Sequence, residues 1–227
     1  MCHMSCIVFG VRNLFREEIE NKRIIEVGSK DVNGSLRPFL ETMHPREYIG
    51  VDIETGPGVD IICQAEDLLA KFGKESFDVV VSTELLEHVR NWRGIISNIK
   101  HICRTGGIIL ITTRSLGFPY HGYPYDFWRY EKQDLLEIFS DFTIEKIEKD
   151  KSAPGIFLKV KKPSRFNEKD LSNLSLYSII EGKRVLTVSE EKLKRYQRKL
   201  KVFFFVRKKF FNFIGNLSQI LFGKIFR

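Results

Sequence analysis

The chain has 227 residues, room for one α/β domain with an appendage, and its 43% hydrophobic and 29% charged residues are ordinary for a globular protein. Four cysteines are too few for a disulfide scaffold, so a reducing cytoplasm is the expected setting. The formal charge of +8 does not imply a nucleic-acid partner, because residues 192–227 hold eleven Lys/Arg and no Asp/Glu, while the rest carries 26 basic against 29 acidic residues.

The opening MCHMSCIVFG has neither a basic segment nor a long apolar core, so no secretory signal is expected. No window reaches the roughly 18 uninterrupted apolar residues of a spanning helix. Cys2, His3 and Cys6 lack a second ligand pair at finger spacing and read as idle or buried. Apolar spacing predicts a helix over residues 7–20, then a buried strand in RIIEVG (23–28), a short helix in LRPFLETM and a second strand, EYIGVDI, ending near Asp52. The turn ETGPGVD leads to a third strand, VDIIC, and the helix AEDLLAKF. FDVVVSTE reads as the fourth strand, LLEHVRNWRGIISNIKHIC as one helix, and GGIILITT as the fifth strand. An aromatic loop and the helix KQDLLEIFS follow, and then two strands, FTIEKIEK and GIFLKVKK, paired antiparallel at an edge. The alternation predicts an α/β fold with a doubly wound, mostly parallel seven-stranded sheet, an antiparallel edge and a basic helical tail. Expected boundaries are 1–163 for the domain, 164–191 for a linker or extension, and 192–227 for the tail.

Ligands of such sheets bind beyond the carboxyl ends of the strands. Three features fall there. The loop after the first strand offers Gly28, Ser29 and Gly34, with glycines suited to close approach and tight turns. Asp52 ends the second strand, where a carboxylate can accept both hydroxyls of a ribose. Ala65 and Glu66 follow the third strand, where they could hold an adenine edge. In this order the features describe an adenosine-containing cofactor. Glu26 chooses among such cofactors: a pyrophosphate near the turn gains nothing from a carboxylate, whereas an ammonium and a sulfonium do.

This pattern resembles the class I S-adenosylmethionine-dependent methyltransferases, over roughly residues 20–163. Glu26 and Gly28 match the first motif, Asp52 the acid after strand two, and Ala65-Glu66 the adenine-side motif. FDVVVSTELLEHV and RTGGIILITT are similar to the family's fourth and fifth strand motifs, which adds Ser82 and Thr83 to the implied cofactor contacts. HGYPYDFWRY resembles a loop of a subgroup associated with sugar or cell-envelope chemistry. Lys30 and Val32 stand where the family usually has glycine, and Gln64 where an acid is frequent. The resemblance implies S-adenosyl-L-methionine as cofactor and methyl transfer to a small-molecule, sugar or lipid-linked acceptor, at oxygen. The alternatives are an NAD(P)-dependent oxidoreductase or epimerase, disfavoured by Glu26 and by the lack of a Tyr-x-x-x-Lys pair, and a non-catalytic membrane-associated adaptor.

A hydroxyl acceptor needs a base, and His88, just past the fourth strand, is the first candidate. Glu84, Glu87 and His88 stand at i, i+3 and i+4 and would share a helix face. That face could hold a cation such as Mg²⁺ or merely cap the helix; no metal is expected. In the loop FPYHGYPYDFWRY, His121 and Asp126 are expected to meet substrate, with Tyr123, Tyr125 and Arg129 as further polar groups, while Phe127, Trp128 and Tyr130 suit packing as well as binding. His44 and His101 read as ordinary surface or packing residues. In the tail, eight phenylalanines interleave with the basic residues. Leu193, Tyr196, Leu200, Phe203, Phe210, Ile214, Leu217 and Leu221 follow an a/d spacing broken by Arg207. Such a helix suits an anionic membrane surface, so a cytoplasmic protein peripheral to the inner membrane face is expected; packing on the domain or on a second copy is the competing reading.

Overall fold

A computed structural model describes residues 3–122 and 126–203, together with Phe205 and Lys209. The chain divides into two compact units, Met1–Thr187 and Val188–Arg227.

The first unit is built on β1 (Arg23–Val27), β2 (Glu47–Asp52), β3 (Ile61–Ile62), β4 (Phe77–Thr83), β5 (Cys103–Arg114), β7 (Thr143–Lys149) and β8 (Gly155–Lys161). Their order is β3-β2-β1-β4-β5-β8-β7. The first five run parallel, while β8 pairs antiparallel with β5 and with the edge strand β7. The strand order reverses between β1 and β4, which opens a crevice at their carboxyl ends. This is the doubly wound sheet with an antiparallel edge that the alternating pattern implied.

Period-2 alternation builds two packed faces. Ile24, Val79, Val81, Ile108 and Leu110 form one face and share a buried cluster with Cys6, Phe9, Leu14, Ile19, Leu36 and Leu40. Ile25, Val80 and Ile109, one residue along, are buried on the other face. Cys6 is thus a core residue rather than a metal ligand. The expected helix over 7–20 is two pieces, α1 (Met4–Asn13) and α2 (Arg16–Ile19), because Leu14 and Phe15 are extended and Glu18 caps Phe15. α3 (Arg37–Glu41), α4 (Leu68–Phe72), α5 (Trp92–Ile102) and α6 (Lys132–Ile138) complete the helices. VDIIC contributes only the two residues of β3.

The first unit does not stop near residue 163. Residues 164–187 supply β9 (Leu176–Ser178) and β10 (Lys183–Val185), which join β6 (Trp128–Arg129) in a second, antiparallel sheet. Phe127, Trp128 and Tyr130 are buried beside it, with Trp128 Nε1 donating to Val89 O and Tyr130 Oη to Leu86 O. These three aromatics pack the structure.

In the second unit, residues 190–203 are helical, and Val202, Phe203 and Phe205 are exposed. Arg207, Phe210, Ile214, Leu217 and Leu221 of the predicted stripe lie outside the described residues. Among the described residues no helix is long and apolar enough to cross a membrane.

Candidate functional site

A cavity of about 460 Å³ opens at the carboxyl ends of β1, β2 and β4. Its wall includes Val27 at the end of β1 and Gly28 after it, Asp52 at the end of β2 with Ile53 and Glu54 after it, Ala65 and Glu66 after β3, Leu85, His88 and Val89 after β4, and His121 and Gly122 from the loop after β5.

Backbone hydrogen bonds fix the first loop. Gly28 N and Ser29 N both donate to Val51 O, at 2.9 and 3.0 Å, and Asp31 N donates to Pro57 O at 2.8 Å. Gly28 has φ +80°, and a Cβ there would lie 3.2 Å from Leu85. A side chain at Gly50 would meet the carbonyl of Gly58 at 2.0 Å, so the turn after β2 can lie directly on β2 only because position 50 is glycine, while Gly58 itself has φ +83° and a Cβ there would lie 2.6 Å from the Ser29 carbonyl. Asp52 joins the two loops, its Oδ2 accepting from Lys30 N at 3.1 Å and its Oδ1 from Glu54 N at 3.2 Å. Each carboxylate oxygen keeps a lone pair free beside the cavity. Lys30 and Glu54 close the same junction with a 2.5 Å ion pair.

Of the residues singled out by sequence, Gly28, Asp52, Ala65, Glu66, His88 and His121 are brought together on this wall. Glu26, Ser29, Gly34, Ser82, Thr83 and Asp126 do not line it. Ser29, Ser82 and Thr83 are buried behind it, and Gly34 closes the loop by donating its N–H to Asp31 Oδ1 at 2.7 Å. Asp126, expected to touch substrate, is fully buried. Its carboxylate accepts from Arg129 at 2.5 and 2.8 Å and from His121 Nδ1 at 3.1 Å, so it orients His121. Tyr123 and Tyr125 lie outside the described residues. Sequence reasoning missed Leu85 and Ile53; Ile53 had a signal, an apolar residue next to the acid that ends β2, and it is 64% exposed.

The helix face expected for Glu84, Glu87 and His88 does not form. Glu84 has φ +56° and the 3₁₀ turn Leu86–His88 follows it, while α5 starts only after Asn91, whose side chain accepts from Gly94 N. Glu84 therefore turns away and pairs with Arg114, which also meets Asp150 at 3.1 Å. Burial and nearby Glu87 push the Glu84 carboxyl upward, against the pull of Arg114. Burial would raise Glu87 as well, but His121 and His88 draw it below the usual range. For His121, burial opposes the charge, yet Asp126 and Glu87 outweigh it and hold the ring at about 9.

Glu26 sits one layer behind the cavity, 2% exposed, accepting from Tyr48 Oη at 2.8 Å and Ser35 Oγ at 3.3 Å. Burial raises its pKa to about 7 despite these two donors. In the unfolded chain the same group ionises near 4.5, so the folded state holds the extra proton and loses stability as pH rises from about 4.5 to 7. The loss is complete above that window and amounts to up to about 3 kcal/mol. Glu26→Gln is expected to remove it: urea melts of the two proteins should agree near pH 4.5 and separate by pH 8, with the variant the more stable. Parallel pH profiles would contradict this.

A profile of the methyltransferase-domain family matches residues 7–150. The chain belongs to this family. These residues form an S-adenosylmethionine-dependent methyltransferase domain. Among curated proteins, a phthiotriol/phenolphthiotriol dimycocerosates methyltransferase of Mycobacterium ulcerans is 30% identical over 107 residues, 42% of this chain and 38% of its own. A ubiquinone biosynthesis O-methyltransferase of Parvibaculum lavamentivorans is 31% identical over 70 residues, 31% of this chain and 27% of its own. The chain thus spans well under half the length of the curated relatives it matches. The fold is that of the 1,6-didemethyltoxoflavin N1-methyltransferase of Burkholderia thailandensis, solved with S-adenosylhomocysteine, at a TM-score of 0.56 and 13% identity over 70% of this chain and 79% of that one. It is also similar to the Haemonchus contortus phosphoethanolamine N-methyltransferase 2, solved with S-adenosyl-L-methionine, with TM-score 0.54, 15% identity, and 71% and 52% of the chains covered.

Proposed function

We propose that the protein transfers a methyl group from S-adenosylmethionine to the hydroxyl oxygen of a small, sugar or lipid-linked acceptor in the cavity after β1, β2 and β4. The observation that carries this reading is the shared wall: a sheet-end carboxylate with free lone pairs, an exposed apolar neighbour and two histidines face one cavity. The residues suit the cofactor. Asp52, oriented by two backbone donors, would bind the ribose hydroxyls. Ile53 offers an apolar face to the adenine, and Ala65 and Glu66 its edge. The Gly28 backbone permits the close approach that a side chain would block. Glu26 would attract the ammonium group, with Ser29, Gly34, Ser82 and Thr83 supporting the loop and strand ends behind the wall. A bound cation favours ionised Glu26, so Glu26→Gln trades affinity for its gain in stability.

The sulfonium of the cofactor supplies the electrophilic methyl carbon, and the protein contributes orientation, exclusion of water and handling of the acceptor's proton. The group placed for the proton is the Glu87–His88–His121 cluster. One of the curated relatives is named an O-methyltransferase, which favours oxygen. The test is a methyl-transfer assay with labelled S-adenosylmethionine and matched phenol, sugar-alcohol and amine acceptors. An O-methyl product is expected; labelling of amines alone would refute the choice of atom.

The tail is proposed to hold the enzyme at an anionic membrane. Its described part exposes Val202, Phe203 and Phe205 beside Lys199 and Lys201, and Lys209 lies 4.8 Å from the Phe205 ring. Each basic residue near such a surface contributes roughly 1 kcal/mol, screened by salt, whereas the aromatic contribution is not screened. Full-length protein should co-sediment with anionic vesicles at low salt and release only partly as salt rises. Phe203→Ser/Phe205→Ser should convert this into full release. Indifference to vesicles at low salt would leave the tail as a packing element.

A further inference from the structure

In place of the Glu84, Glu87 and His88 set suggested by spacing, the structure assembles Glu87, His88 and His121. One ligand-type atom from each lies within 4.8 Å of the other two. Glu87 is fully buried; its Oε2 accepts from Thr113 Oγ1 at 2.9 Å, while its Oε1 has no hydrogen-bond donor. Facing it at 3.7 Å is His121 Nε2, which also lacks a hydrogen-bond partner. That separation is beyond hydrogen-bond reach. It does suit two atoms around a common ion, because bonds of about 2.1 Å place neighbouring ligand atoms roughly 3–4 Å apart; the full set of three, which spans up to 4.8 Å, closes on an ion by a side-chain adjustment of less than about 1 Å. A buried carboxylate oxygen left without a hydrogen-bond donor is costly unless a cation completes it; among the described ion pairs the positive charge against Glu87 Oε1 is the His121 ring at 3.7 Å, and a metal ion between the two would take the place of that proton.

The groups behind the cluster have the form of a metal-site support. A ligating histidine is commonly held through its other nitrogen by a carboxylate, which fixes the ring. His121 Nδ1 meets Asp126 Oδ2 at 3.1 Å, and Asp126 is clamped by Arg129. The His88 and His121 rings stand 4.7 Å apart between centroids, and both line the cavity that Gly28 and Asp52 share.

We propose that Glu87, His88 and His121 form a binding site for a divalent transition-metal ion. Two imidazole nitrogens and one carboxylate oxygen suit Zn²⁺, Mn²⁺ or Fe²⁺ better than Mg²⁺, which prefers oxygen throughout. Three protein ligands leave positions open toward the cavity, where an acceptor hydroxyl could bind and be polarised. That last role rests on the methyl-transfer reading; affinity for the ion does not.

Chelator-treated full-length protein is titrated calorimetrically with ZnCl₂ and, separately, with MnCl₂, and S-adenosylhomocysteine is titrated into the same preparations. One ion per chain is expected, with a dissociation constant on the order of 10 µM or tighter for at least one metal. His121→Ala and Glu87→Gln should each weaken it about tenfold or more. His44→Ala, at an exposed turn, should not. Retained S-adenosylhomocysteine binding by His121→Ala shows that the variant is folded, and His121→Gln serves if it is not. No saturable binding of either ion, or equal affinity in the cluster variants, overturns the site. Failure of the wild-type chain to bind S-adenosylhomocysteine would strike the cofactor reading instead.

Discussion

Replacing His88 by alanine is expected to lower turnover by about 10²- to 10⁴-fold and to leave affinity for S-adenosylhomocysteine nearly unchanged. The split follows from position. His88 belongs to the 3₁₀ turn after β4, its ring tilted against that of His121, whereas the carboxylate assigned to the cofactor's ribose, Asp52, stands on β2. A hydroxyl oxygen is a poor nucleophile until its proton is withdrawn or its O–H is polarised, and the proposal gives that work to Glu87, His88 and His121. Truncating one member therefore removes an interaction made as the reaction proceeds, which lowers kcat and kcat/KM together. Steady-state kinetics alongside an S-adenosylhomocysteine titration would check this. Parallel loss of cofactor affinity and melting temperature would give His88 a structural role.

Most of the sheet was legible because its strands are runs of β-branched and aliphatic residues bounded by glycine or charge. RIIEV, FDVVVST and GGIILITT need no tertiary information to be recognised as buried strands. The antiparallel placement of β7 and β8 was equally readable, since no helix separates FTIEKIEK from GIFLKVKK. Helix boundaries were less so. The periodic stretch from Leu85 to Cys103 looks continuous, but Asn91 caps a new helix and Glu84 takes a left-handed conformation, so helical spacing grouped the wrong third residue with Glu87 and His88. His121 reaches the cluster from the loop beyond β5, a contact that no local spacing encodes. Asp126 illustrates the same limit. Its residue type suggested contact with substrate, yet Arg129, three positions along, and His121 take its carboxylate completely. The small sheet of β6, β9 and β10 was invisible because its strands are two or three residues long and draw their order from partners far away in the chain.

The second large effect falls on Asp52, and it bears most directly on where the cofactor sits. Two charge-assisted hydrogen bonds to ribose hydroxyls contribute roughly 1.5–3 kcal/mol each before the cost of desolvation, so Asp52→Ala should weaken binding by about 10²- to 10³-fold. Part of that loss comes from freeing Lys30 N and Glu54 N, which Asp52 now holds. Asp67→Ala, outside the cavity wall, is the matched control. The decisive measurement is a calorimetric titration of S-adenosylhomocysteine, with NAD in parallel, into the full-length protein and these two variants. The account predicts one S-adenosylhomocysteine per chain, no comparable binding of NAD, a large loss in Asp52→Ala and little change in Asp67→Ala. Equal affinities in all three proteins, or preference for NAD, would contradict it.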